Sequence, residues 1–389
     1  MVNKNLAFAA ACLGMLLFGI VFLSLGSVNN MLAERFQLDN SAIGTLTALL
    51  PFGILIGSLV FGPVVDRFGY RGLLVTASLI VGGALEGMAF AQTLTLVQWC
   101  VFAIGFGGGI LNGATNALAA DVSEGKRGAK LSLLGVFFGI GALAMPSTLA
   151  ALSHRFELHQ IVSGIGALSF LPAVYCLAIA LPPAKLQSDR TSMGQMFARL
   201  ADPFLLVACL ACAMQSGMEG LSNDWMTRYF KNVVLAGDDN ERIVQLSLVA
   251  LTGAMMATRL VLAGLLMYIG PRAVLLASLV TIAAGAALLV ALPGNSPTVA
   301  LLGPLGIGAG LAAMFPVVLG FVGDRYPQQS GTAFSTIFVV ALAGNMTINK
   351  SFGYIAHEYG VVQYPKVLLV LVFAAAVLLH VLYSYVSRD

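Results

Sequence analysis

Twelve separate apolar runs, each long enough to cross a bilayer, take up nearly the whole of this chain. A spanning helix needs about 20 mostly apolar residues at roughly 1.5 Å of rise each. The spans predicted on this basis are Leu6–Ser27, Ala42–Val65, Gly72–Ala91, Leu96–Ala120, Leu131–Leu152, Ile161–Leu181, Pro203–Leu221, Ile243–Met267, Ala273–Leu292, Val299–Val322, Thr332–Ile355 and Val367–Val386. Backbone groups in hydrocarbon must be satisfied within the segment, so runs of this length are helices; barrel strands would be about half as long and would alternate. The expected fold class is an all-α polytopic membrane protein embedded in a lipid bilayer. Hydrophobic residues make up 59% of the 389, which leaves no room for a sizeable soluble domain. The formal charge of +3 is too small and too dispersed for a nucleic-acid partner. The first run is long enough to span and lacks a clear small-residue cleavage site, so no cleavable signal peptide is expected.

An even number of spans puts both termini on one side. With both ends cytoplasmic, twelve lysines and arginines fall on the cytoplasmic side and six on the other. That excess predicts this orientation, in the cytoplasmic (inner) membrane. Pro182-Pro183 cannot continue a helix, and the residues after it mix Lys185, Asp189, Arg190 and Arg199. Residues 182–202 therefore read as a cytoplasmic linker between six-helix bundles 1–181 and 203–389, with a short surface helix near Met193–Leu200. A shift of 201 positions lays Gly69 on Gly270, Arg71 on Arg272 and Leu74 on Leu275. The same shift lays Gly105, Gly107 and Gly109 on Gly306, Gly308 and Gly310. Parallel repeats of this kind build many secondary transporters.

A short charged hinge lies between spans two and three, as Gly62-x-x-x-Asp66-Arg67-x-Gly69-x-Arg71-x-x-Leu74. This resembles the signature joining helices two and three of the major facilitator superfamily. The second copy, Ala263-x-x-x-Met267-Tyr268-x-Gly270-x-Arg272, is degenerate. The resemblance implies two pseudo-symmetric six-helix bundles that move a solute by alternating access. It also implies a gating cluster: Gly62, Asp66, Arg67, Gly69 and Arg71, with Asp121 beside Arg127 and Lys130, and in the second half an equivalent pair, Arg259 and Asp324. Gly105 to Asn116, Phe138 to Pro146, and Glu219 with Asp224-Trp225 and Tyr229 are similar to the fucose/glucose permease branch. This chain departs from that branch where its proton-carrying acids sit, with Gly26 in helix one and Asn112 in helix four. Gly135 and Asn349 also replace a common histidine and proline.

Charges deep in a span are expensive and therefore usually paired or hydrated. Glu219 lies about sixteen residues into span seven, between Gln215 and Asn223 on one helical stripe. Lys350 lies about nineteen residues into span eleven, after Asn345 and Asn349. Glu219 and Lys350 are expected to form an ion pair in at least one state. In span four Asn112, Thr115 and Asn116 offer donors and acceptors together, which suits vicinal hydroxyls. Glu86 has no evident partner, and Trp225 and Tyr229 read as interfacial anchors. Cys209 and Cys212 lie one turn apart without a histidine or second pair, so packing is expected rather than metal binding, and no metal or other cofactor is expected.

These residues predict a monomeric secondary transporter for a small-molecule substrate, a monosaccharide or polyol, with coupling to protons or sodium through Glu219 or none at all. An exporter of drugs or metabolites is one alternative. A carrier of organic anions anchored by Lys350 and Arg259 is another, disfavoured if Glu219 neutralises Lys350. A non-transporting membrane sensor is a third. No nucleophile–base or metal constellation suggests an enzyme.

Overall fold

The computed structural model describes residues 2–37, 40–123, 127–152, 155–184, 201–235, 241–266, 268–291 and 297–386. Most of the expected linker, including the surface helix at Met193–Leu200, lies outside them. The described residues form helices and no strand: α1 Lys4–Phe36, α2 Asn40–Phe68, α3 Tyr70–Ala89, α4 Leu94–Asp121, α5 Arg127–Leu152, α6 Leu158–Leu168, α7 Leu171–Ala178, α8 Pro203–Tyr229, α9 Glu241–Leu265, α10 Pro271–Ala291, α11 Pro297–Ala300, α12 Leu302–Leu311, α13 Met314–Arg325, α14 Ser330–Tyr359 and α15 Tyr364–Val386. Twelve spans among the described residues are long and apolar enough to cross a membrane, as expected.

Two of the spans are broken helices. α6 and α7 share the span Leu158–Ala178, and α12 and α13 share Leu302–Arg325. Pro172 and Pro316 each sit in the first turn after the break. A proline there lacks an N–H and clashes with the carbonyl four residues back, so the preceding helix stops. α8 starts where Asp202 accepts a hydrogen bond from the Phe204 N–H at 2.9 Å, with Pro203 in the first turn. It ends in a π-helical turn, Phe230–Val234.

Close contacts divide the chain into two compact units. The first holds Met1–Gly125, Leu134–Phe197 and Arg325–Thr336; the second holds Lys126–Leu133, Ala198–Asp324 and Ile337–Asp389. Each unit thus includes a short segment from the opposite sequence half. In the first unit α4 is central and packs on α1, α2 and α3, while α3 also packs on α6 and α7. In the second, α12 packs on α9 and α10, and α15 on α8 and α10. Outward faces are apolar: Val370, Phe373, Val377 and Val381 form an exposed stripe along α15, as a lipid-facing helix requires.

Paired glycines set the closest approaches. A Cβ on Gly53 would strike the Phe102 carbonyl, and one on Gly105 would strike that of Leu50, so α2 and α4 meet backbone to backbone. The repeat needs correcting at this point. Gly105 and Gly109 face α2 while Gly107 faces α3; in the second half Gly308 faces α9 while Gly306 and Gly310 face α10. The glycines superposed by the 201-residue shift therefore face non-equivalent neighbours.

One residue joins α2 to α3. Gly69 has φ 78° and ψ −178°, a region open essentially to glycine alone. Its counterpart Gly270 has no such dihedral and open space around it. Gly69→Ala should therefore lower the stability of the detergent-solubilised protein by about 1–3 kcal/mol, read as a fall in thermal midpoint. Gly270→Ala should leave that midpoint where it is. Equal behaviour of the two variants would refute the asymmetry.

Candidate functional site

The charged hinge is organised by Asp66. Its side chain is buried, 1% exposed, at the last turn of α2. The carboxylate accepts from the Gly331 N–H at 3.2 Å, the Thr332 N–H at 2.8 Å and the Thr332 hydroxyl at 2.6 Å. These N–H groups belong to the first turn of α14, which has no intrahelical acceptors for them. A carboxylate there also meets the positive end of the helix dipole. Asp121, at the end of α4, accepts from Tyr70 and, at 2.9 Å, from the Ser330 hydroxyl just before those groups. The Ser335 hydroxyl donates to the Ser58 carbonyl. Gly62 makes the approach possible, because a Cβ on it would lie 2.6 Å from Ser335 Cβ and 2.7 Å from the Gly331 carbonyl oxygen.

The arginines are arranged differently from the expected cluster. Arg67 is exposed and lies over the Phe68 ring, 5.1 Å from its centroid. Arg71 donates to the Ile179 carbonyl. Arg127 pairs with Asp324, although the expected partner of Asp324 was Arg259. Arg259 instead lies 3.9 Å from Glu219. These two substitutions of partner follow from chain placement: Lys126–Leu133 belongs to the second unit, which brings Arg127 to the end of α13. The Ser132 hydroxyl, one turn on, donates to the backbone carbonyl of Arg259 at 2.7 Å.

The polar stripe of α8 lies against α9, α12 and α14. Gln215 is fully buried and donates to the Leu311 carbonyl at 2.7 Å, leaving its Oε1 without a partner among the described residues. A Cβ on Gly220 would run into the Asn345 amide, so that amide packs on the α8 backbone. Asn349 donates to Asn345 at 2.7 Å, and its own Oδ1 is buried without a partner among the described residues. Asn223 is half-buried on the same stripe. Lys350 is exposed and has no ion-pair partner among the described residues, so the expected Glu219–Lys350 pair is not formed here.

In the first unit Thr115 donates to the Leu111 carbonyl at 2.7 Å, and Asn116 donates to the Asn112 carbonyl at 2.8 Å and its Oδ1 at 3.2 Å. Asn112 is half-buried, whereas Thr115 and Asn116 are buried. Tyr229 corrects the reading as an interfacial anchor: it is 1% exposed and donates to the Leu289 carbonyl at 2.7 Å. Trp225 packs edge-on against Phe352, with Arg228 over its ring. Glu86 does have a partner, the Ser163 hydroxyl at 2.7 Å. Cys209 and Cys212 are buried free thiols.

The family profile described as the Major Facilitator Superfamily matches residues 8–347. The chain belongs to that superfamily. It is 28% identical over 176 residues to the 4-hydroxybenzoate transporter PcaK of Pseudomonas putida, covering 43% of this chain and 39% of that one. It is 32% identical over 112 residues to organic anion transporter 3 of Sus scrofa, covering 28% and 21%. The chain thus spans well under half the length of these two relatives. Among solved structures it is similar to the transporter FucP in the outward conformation, with TM-score 0.77, 18% identity and 95% and 97% of the two chains covered. It is likewise similar to the proton:xylose symporter XylE, with TM-score 0.75, 14% identity and 96% and 94% covered. The fold is therefore that of transporters rather than enzymes.

Motif reading from sequence overlooked Ser330, Gly331, Thr332 and Ser335, which meet the hinge. Ser-Gly-Thr opening a long apolar run is a helix-start pattern, and that signal marked the place without revealing the partner. Asp66→Asn keeps the shape and removes the charge, so the α14 cap should weaken by about 1–3 kcal/mol. A cysteine at Ser335, buried in the parent, should then react faster with a membrane-impermeant maleimide. Unchanged labelling would leave Asp66 as a static cap.

Proposed function

We propose that this protein is a secondary transporter of small organic anions, working by alternating access in the cytoplasmic membrane with both termini inside. The observation that carries the reading is Lys350. It lies far inside the span Ser330–Tyr359, on an exposed face of α14 shared with Met346 and Tyr354, and no carboxylate neutralises it among the described residues. A lysine turned to hydrocarbon at depth costs about 2.5–3.5 kcal/mol, so this face is assigned to a water-filled route. Arg259, a second cation within a span, meets Glu219 through one long contact only. Glu219, which would make an anion less favourable by neutralising Lys350, lies beside Arg259 instead. The names of the 4-hydroxybenzoate and organic anion relatives support the same class.

A monosaccharide or polyol is the second reading, favoured by the amide face of Asn112 and Asn116 and by the fold shared with FucP and XylE. In either reading the two moving bundles would be residues 1–181 and 203–389.

The deciding experiment is uptake by the purified protein in liposomes, comparing labelled 4-hydroxybenzoate and L-lactate with L-fucose and D-xylose. Carboxylate uptake above protein-free vesicles is expected. Lys350→Gln should raise its half-saturation roughly tenfold, the equivalent of about 1.4 kcal/mol. Uptake of the sugars alone would overturn the anion reading in favour of the second.

A further inference from the structure

We propose that the first unit holds an aromatic ring of the substrate, so that the transported anion is a carboxylate borne on a benzene ring with an oxygen substituent. The inference rests on the anion reading above for the charge, and it concerns the rest of the molecule.

Three phenyl rings meet where α1 packs on α5. Phe18 and Phe22 are one turn apart on α1, with centroids 6.1 Å apart, and Phe138 of α5 lies 5.5 Å from the first and 5.6 Å from the second. The interplanar angles of 59°, 34° and 65° leave no two rings parallel, the tilted and edge-on arrangement that phenyl groups prefer. The backbones beneath them are in close contact. A Cβ on Gly19 would strike the Phe138 carbonyl, and one on Gly141 would strike that of Leu16. Phe18 is buried against α4, where a Cβ on Gly108 would come 3.4 Å from its ring. Phe138 is half-buried, and Phe22 is 47% exposed. All of these residues belong to the first unit.

One turn along α4 from Gly108, and on the same face, stands Asn112. Its side chain is half-buried and its Oδ1 accepts from Asn116 at 3.2 Å, while its own Nδ2 has no acceptor among the described residues. The neighbouring polar groups are used within α4, Thr115 on the Leu111 carbonyl and Asn116 on Asn112. This face therefore offers a large π surface and one open amide donor group. A polyol would set several hydroxyls against apolar rings with a single amide to meet them, at a cost for each hydroxyl left unbonded. A lipid chain would cover the rings but has no acceptor for the amide. A benzene ring with an oxygen substituent satisfies both: its face and edge fit tilted phenyl groups, and its oxygen accepts from Nδ2.

The test measures uptake and thermal shift of the full-length protein in phosphatidylethanolamine–phosphatidylglycerol vesicles. The solutes are benzoate, 4-hydroxybenzoate, L-lactate and cyclohexanecarboxylate, which resembles benzoate in size and charge but has no π face. Benzoate should half-saturate about fivefold below cyclohexanecarboxylate and about tenfold below L-lactate. Phe22→Leu should shrink the preference over cyclohexanecarboxylate to less than about twofold, and Phe22→Trp should restore it. Asn112→Ala, in which Asn116 keeps the backbone carbonyl of that position, should raise the half-saturation for 4-hydroxybenzoate about fivefold, to that of benzoate. Equal half-saturation for benzoate and cyclohexanecarboxylate in the parent overturns the ring site and leaves the anion reading standing. A preference that survives both Phe22→Leu and Phe138→Leu does the same. Uptake of L-fucose or D-xylose with no carboxylate uptake, or no uptake and no thermal shift with any of these solutes, counts against both.

Discussion

A helix that crosses a bilayer satisfies its own backbone except at its first and last turns, and those ends must be supplied from elsewhere. At the start of α14 the supplier is a carboxylate from α2. Asp66 receives two backbone N–H groups and a hydroxyl while fully buried. Everything near it is arranged to permit this: Gly62 and Gly331 lack the side chains that would hold the two backbones apart, and Gly69 turns the chain at once into α3. At Asp66 the hinge motif therefore acts as a cap for α14, with Arg67 exposed beside it.

The same demand for compensation governs the other ions. Arg127 with Asp324 and Arg259 with Glu219 share a unit, and each pair matches one cation to one anion. Lys350 stands outside this matching. A cation with no carboxylate beside it among the described residues attracts an anion, and the proposed substrate class rests on this residue rather than on the more numerous amides.

Helix number, the class of fold and the hinge could be read from sequence, because apolar length and glycine spacing are local properties. The family could be read from Gly62 to Leu74 for the same reason. Pairings were legible only where the partners are close in sequence. Glu219 was matched to Lys350 on depth alone, and depth says nothing of azimuth; Lys350 is on the exposed face of its helix, opposite the one that packs on α8 through Asn345 and Ile348. Asp324 was matched by repeat symmetry, and the symmetry fails locally, since the superposed glycines face different helices. Tyr229 looked like an interfacial residue because hydropathy cannot see that its hydroxyl meets a carbonyl sixty residues away.

The hinge also has a place in time. Asp66 and the Gly331 N–H that donates to it are separated by 265 positions, so the carboxylate is synthesised long before the helix end it caps. Until Ser330 to Ser335 emerges, the first compact unit lacks a segment of its own packing. The first half of the sequence is thus an unfinished folding unit. Its completion waits on the second half, and the step that completes it, the docking of α14 on α2, is also the step that buries Asp66.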